Sequence, residues 1–152
     1  MSAAYYKYKK ESLTLKFNMA KDTLHLIKDA TEQYKNGQSV HLKRAIIGYF
    51  QDFSEYIIDM SETYLVMTNN YIDGCSGLEL IKKWSLYGFI DEKLSRILVA
   101  LVRLRNRYTH DYYKRERVEE DILDYCINKI AFLEIFLEVS NEKIKLSMIE
   151  EE

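Results

Sequence analysis

Residues 103–117 read RLRNRYTHDYYKRER, and within them an arginine, a histidine and a tyrosine (Arg105, His110 and Tyr112) lie close enough in sequence to serve one reaction. A guanidinium neutralises a phosphoryl oxygen through two parallel N–H donors. An imidazole moves a proton near neutral pH without help from a metal. With a phenol hydroxyl two residues on, the set suits phosphodiester chemistry. The stretch is also electrically distinct. Arg103, Arg105, Arg107, Lys114, Arg115 and Arg117 against Asp111 and Glu116 give +4 (six minus two), and with −2 for the whole chain the remainder carries −6. A positive island on an acidic body is how a local phosphate-binding surface looks. The same cations at a helix C-terminus are favourable with no ligand at all.

The groups can act together only if the backbone lets them meet. Leu94, Ile97, Leu98, Leu101 and Leu104 form the inner stripe of a helix opened by Asp91, and Arg105, four residues past Leu101, continues that stripe. An arginine there faces a partner surface or must be paired, because burying it alone costs far too much. His110 follows five residues later, about 500° of helical rotation, which leaves the two side chains roughly 140° apart. One site holds both only if the helix loosens or ends between them, near the β-branched Thr109. Tyr112 shares a cleft with His110 only if positions 110–112 are non-helical or begin a helix, since two helical residues diverge by about 200°.

The rest of the chain reads as the scaffold. It has 152 residues with no proline, five glycines, 47% hydrophobic and 30% charged residues, which excludes collagen-like, disordered and strand-rich classes. The apolar period is close to 3.6 almost throughout. A first helix is expected over 11–35, with Leu13, Phe17, Ala20, Leu24 and Ile27 inward and Asn36-Gly37 as a left-handed end. Ser39 caps a second over 40–67, striped by Ile46, Phe50, Phe53, Ile57, Met60 and Tyr64. Ser76-x-x-Glu79 is a capping box for a short helix ending at Gly88. A last helix starts near Arg117 with Val118, Ile122, Cys126, Ile130, Leu133 and Leu137 inward. One all-α domain over 1–152, an antiparallel four- to five-helix bundle, is expected, with 1–10 and 141–152 frayed.

The residues Arg105-Asn106-Arg107-Tyr108-Thr109-His110-Asp111-Tyr112 are similar to the Arg-x4-His-x-Tyr signature of HEPN domains. They resemble in particular the HepT-like toxin branch, where an Asn commonly follows the Arg, as Asn106 does here. The resemblance extends to the number of helices, the motif's place at the end of the penultimate long helix and a final packing helix. More loosely it takes in DFSEYIIDM and GFIDEKL, and it spans about residues 40–140. It implies a metal-independent endoribonuclease toxin of a type II- or VII-like toxin–antitoxin pair, built as a homodimer with the two motifs facing across the interface. His110 would be the acid/base, Arg105 the phosphate and transition-state stabiliser, and Asn106 a polar support. The RNA, a tRNA or mRNA, would be cut by its 2′-hydroxyl, leaving a 2′,3′-cyclic phosphate and a 5′-hydroxyl. Tyr112 resembles the tyrosine that a nucleotidyltransferase-type antitoxin caps with AMP, an adduct that would repel the RNA phosphate. The alternative is a non-catalytic HEPN dimer serving as scaffold or nucleotide sensor beside a nucleotidyltransferase; a plain helical interaction protein is a third reading.

Arg103, Arg107, Tyr108, Lys114 and Arg115, the aromatic and basic members of the island, are the candidate RNA contacts. Tyr113 joins them by position. The Tyr5-Tyr6-Lys7-Tyr8-Lys9-Lys10 arm could touch RNA but reads first as a disordered terminus. His25 and His41 stand alone, Cys75 and Cys126 lack metal-ligand spacing, and no phosphate-cradling glycine motif occurs, so neither metal nor cofactor is expected. Trp84 is expected to pack between helices. No apolar window or leader-like segment is seen, and a cytoplasmic protein with neither membrane nor DNA as partner is the expectation.

Overall fold

The computed structural model describes residues 3–149, with the side chains at 3, 4, 6, 7, 112 and 147–149 outside the described residues. Five α-helices follow one another: α1 Ala3–Asn36, α2 Val40–Met67, α3 Gly77–Leu86, α4 Glu92–His110 and α5 Arg115–Ile149, with a 3-10 turn at Tyr112–Lys114 joining the last two. No strand occurs among the described residues, and the expected all-α bundle is what forms.

The helix starts follow from local chemistry. Ser39 Oγ accepts from the His41 amide at 3.1 Å, Ser76 Oγ from the Glu79 amide at 3.3 Å, and Asp91 Oδ1 from the Leu94 amide at 2.8 Å. Each satisfies an amide that the first turn leaves without a partner. Gly88, at φ +80°, turns the chain sharply after α3, and the Phe89 amide reaches back to the Trp84 carbonyl at 3.0 Å. That reversal stacks Phe89 on the fully buried Trp84 at 4.3 Å, while Phe136 of α5 meets the indole edge-on at 5.6 Å. Trp84 thus ties α3 to α5, as its expected interhelical role requires.

The helix α2 touches all four others and is the spine of the bundle. Its stripe Ile46, Phe50, Phe53, Ile57 and Met60 is buried, facing Leu13, Phe17, Ala20, Leu24 and Ile27 of α1. Lys43 of α2 binds Glu120 of α5 at 2.7 Å, and this hydrogen bond holds its ammonium pKa above the usual lysine range. Inside, the Tyr125 hydroxyl donates to the Ile97 carbonyl at 2.7 Å, linking α5 to α4, and burial pushes the Cys126 thiol up to about 12. A thiol held protonated in this way is a packing group.

Three expectations need correction. The first helix begins at Ala3 rather than near residue 11, and the last runs to Ile149, so positions 3–10 and 141–149 are helical rather than frayed. Nothing in either segment breaks a helix, and Lys10 at one end and Ile144 at the other are buried, so tertiary contact carries the helices outward. The aromatic arm therefore belongs to α1, with Lys9 Nζ over the Tyr5 and Tyr8 rings at 5.6 and 6.0 Å. Residues 150–152 lie outside the described residues. Second, α1 does end at Asn36, yet Gly37 is not left-handed; the left-handed residues are Asn69, Gly74 and Gly88. Third, α4 neither loosens nor ends between Arg105 and His110. The Thr109 hydroxyl donates to the Arg105 carbonyl at 3.0 Å and the Asp111 amide to the Arg107 carbonyl at 2.8 Å, so the helix persists through His110. The propensity cost of one β-branched residue, at most about 0.7 kcal/mol, is easily outweighed by the side-chain pairs that pin this turn.

Candidate functional site

The motif occupies the last turns of α4, where the basic island faces α2 and the start of α5. Arg105, expected to be either paired or partner-facing, is paired: its guanidinium binds the Glu55 carboxylate of α2, and its second arm lies 3.5 Å from Asn106 Oδ1. The side chain retains 28% exposure, so it is held in place without being enclosed. Asn106 thus lies beside Arg105. Arg107 turns to the other side and binds Asp121 of α5 at 2.9 Å. Together the two arginines fasten the end of α4 to both neighbouring helices.

His110 is exposed in the final turn of α4 and makes no hydrogen bond among the described residues. Because the helix is unbroken, Arg105 and His110 leave it roughly 140° apart, and one chain does not gather them into a single pocket. At Asp111 (φ −99°, ψ 64°) the chain leaves the helix and enters the 3-10 turn. His110 is therefore still helical, Asp111 alone lies between the two elements, and Tyr112 opens the 3-10 turn. The Tyr112 side chain lies outside the described residues.

The remaining basic and aromatic residues fall into two groups. Arg103, Tyr113 and Lys114 are exposed, Tyr113 at 83%, and Lys114 Nζ lies over the Tyr113 ring at 5.8 Å. Tyr108 and Arg115 are half-buried and stacked: the guanidinium carbon sits 4.6 Å from the ring centroid, and Nη2 is 3.5 Å from the Tyr108 carbonyl oxygen. Such a stack keeps a planar cation on a rigid support.

Sequence reasoning missed the contribution of α2. Glu55, Asp59 and Glu62 follow one another at four- and three-residue spacing, so they line one face. Burial raises the Asp59 carboxyl above its usual range; Lys16 opposes that shift, Glu55 and Glu62 add to it, and Arg105 opposes it again. An acidic face pointing at a motif arginine was legible as a spacing pattern, but its target was not. A separate groove of about 340 Å³ between α1 and α5, lined by Phe17, Leu24, His25 and Leu137 among others, contains no motif residue. Among the described residues no cluster of three or more His, Cys, Asp or Glu could hold a metal ion, and no helix is long and apolar enough to cross a membrane.

No family model matches the chain, and no curated protein matches it. Among solved structures it is similar to a tri-AMPylated Shewanella oneidensis HEPN toxin in complex with MNT antitoxin, with a TM-score of 0.71 over 86% of this chain and 96% of that one. The two are 21% identical in sequence. At that distance the likeness defines the fold: the chain is an all-α protein with the HEPN fold.

Proposed function

We propose that the chain is the toxin of a toxin–antitoxin pair, a homodimeric and metal-independent endoribonuclease held in check by a nucleotidyltransferase-type antitoxin. The observation that carries this reading is the placement of Arg105 and His110 at the open end of α4 within a HEPN fold. Arg105 is pre-oriented by Glu55 while its side chain stays 28% exposed. His110 is exposed and has no orienting partner among the described residues, as a group completed by a second copy would be. A two-fold axis at this surface sets Arg105 of one copy against His110 of the other, since a residue facing its counterpart's neighbour is what an isologous contact does.

In that cleft one neutral imidazole takes the proton of the ribose 2′-hydroxyl. The 2′-oxygen bonds to phosphorus, the bond to the 5′-oxygen breaks, and the 5′-oxygen leaves with a proton from the second His110, which acts as its imidazolium. The products are a 2′,3′-cyclic phosphate and a 5′-hydroxyl. Arg105 neutralises the charge that builds on the non-bridging oxygens. Asn106, 3.5 Å from the guanidinium, limits its swing. Arg103, Arg107, Tyr108, Lys114 and Arg115 supply the surrounding field and stacking surface for a tRNA or mRNA. The antitoxin silences the site by transferring AMP from ATP to the Tyr112 hydroxyl: the phenol oxygen bonds to the α-phosphorus, pyrophosphate leaves, and the phenol proton is lost. This chemistry belongs in the cytoplasm, where RNA and the antitoxin are.

The Arg105–Glu55 pair favours a second reading, because a guanidinium already neutralised within the chain suits a non-catalytic HEPN scaffold. The deciding experiment is incubation of the purified protein with tRNA in EDTA, followed by mapping of the cut ends. Cleavage with cyclic phosphate ends should survive chelation and fall by about 10²–10⁴-fold in His110→Ala. If chelation stops the reaction while His110→Ala does not, the mechanism is wrong; if nothing is cut, the scaffold reading stands.

A further inference from the structure

One turn away from Arg105, a groove of about 390 Å³ opens between α2, the end of α4 and the start of α5, lined by Arg44, Gly48, Gln51, Tyr108, Arg115 and Glu119. On α2 its residues continue the face that carries Glu55: Arg44, Gly48, Gln51 and Glu55 recur at three- and four-residue spacing. On α4, Tyr108 lies one turn past Arg105. The groove and Arg105 are therefore neighbours along the same pair of helices, with Tyr108 about 4.5 Å of helix rise from Arg105.

Three features make this groove more than a gap. The Gln51 Nε2 donor is buried there with no hydrogen-bond partner among the described residues. A buried amide donor left without an acceptor is costly and uncommon, and a turn of the half-buried Gln51 side chain would bring this one to an acceptor in the groove. Arg44 is exposed at the rim, and the Arg115 guanidinium is fixed on the Tyr108 ring, so two cations meet one carboxylate, Glu119, and the groove is net positive. Gly48 leaves the floor open, since a side chain there would meet nothing within 4 Å. Resting on the ribonuclease reading, we infer that this groove is a phosphate subsite for the RNA strand flanking the scissile bond. Turned into the groove, Gln51 Nε2 donates to a phosphate oxygen there, and Arg44 and Arg115 neutralise its charge.

The test uses a fluorescein-labelled single-stranded RNA oligonucleotide and anisotropy, in full-length His110→Ala protein so that binding is read without cleavage. Arg44→Ala should weaken binding about fivefold at ~0.1 M salt and lower the salt slope by about 0.7, the signature of one phosphate contact on a single strand. Gln51→Leu should weaken binding about fivefold with no change in slope, since it removes a neutral donor. It should also leave the Tm unchanged or raised, because a structural glutamine would lower it on removal. Lys82→Ala, an exposed lysine on α3, should alter neither affinity nor slope. Unchanged RNA binding by Arg44→Ala and Gln51→Leu, alongside RNA cleavage by the native protein, overturns the subsite alone. Absent binding by the parent together with absent cleavage overturns the ribonuclease reading beneath it. Intact RNA binding with lost antitoxin binding would make the groove a seat for an acidic protein segment, and that too overturns the subsite.

Discussion

Removing the carboxylate that holds Arg105 separates orientation from charge at the site. Two unit charges about 4 Å apart attract by roughly 1 kcal/mol in water and 4 kcal/mol at an effective dielectric of about 20. The Arg105 and Glu55 side chains are 28% and 49% exposed, so the pair sits towards the screened limit. After side-chain entropy, a net stabilisation of about 0.5–1 kcal/mol is expected. For a chain of this length that is a Tm loss of about 1–4 °C in Glu55→Ala. The catalytic effect should be larger, because a misplacement of about 1 Å in a positioned group costs on the order of 10²-fold. Glu55→Ala should therefore lose about 10–10²-fold in kcat with KM little changed, while Glu55→Gln, which keeps the acceptor oxygen, should recover most of it. A stability double-mutant cycle with Arg105→Ala isolates the pair. Wild-type cleavage by Glu55→Ala, or a coupling energy indistinguishable from zero, would refute the positioning role.

Asp59→Asn should stabilise the protein near neutral pH and give no advantage in acid. Its carboxyl is raised in the fold, chiefly by burial, so ionisation opposes folding: the native state is favoured while the group is protonated and loses ground as pH rises past the usual carboxylate range. Thermal melts of both proteins across that range check the sign, and a larger gain in acid would contradict it. After co-expression with the antitoxin, mass spectrometry should find AMP on the peptide containing Tyr112, absent in Tyr112→Phe; an unmodified peptide from a neutralised complex would mean inhibition by occlusion. Light scattering at micromolar concentration should give a dimer, with an interface above roughly 1,000 Å² in total, and a strict monomer would count against the composite cleft. Trp84→Ala should cost about 3–5 kcal/mol, seen as a loss of Tm without change in the Arg105–Glu55 coupling.

The sequence by itself determined most of the helices, because period, caps and the absence of proline are local quantities. Ser39, Ser76 and Asp91 cap where their side chains can reach a free amide two or three residues on, and no distant contact is needed for that. It also determined that Arg105 would be paired or covered, since a charge on an apolar stripe admits no other outcome. The identity of the partner was decided only by tertiary structure, for Glu55 lies fifty residues away on α2. The same holds for the end of α4. Thr109 read as a weak point on propensity, but the anchoring of Arg105 to α2 and of Arg107 to α5 holds that turn helical through His110. The groove beside Arg105 was equally invisible, because Arg44, Gln51, Tyr108 and Arg115 are spread over three helices and only the packing of α2 against the α4–α5 corner brings them together. Local chemistry chose the elements and the charge that needed an answer; the long-range packing of five helices supplied the answer.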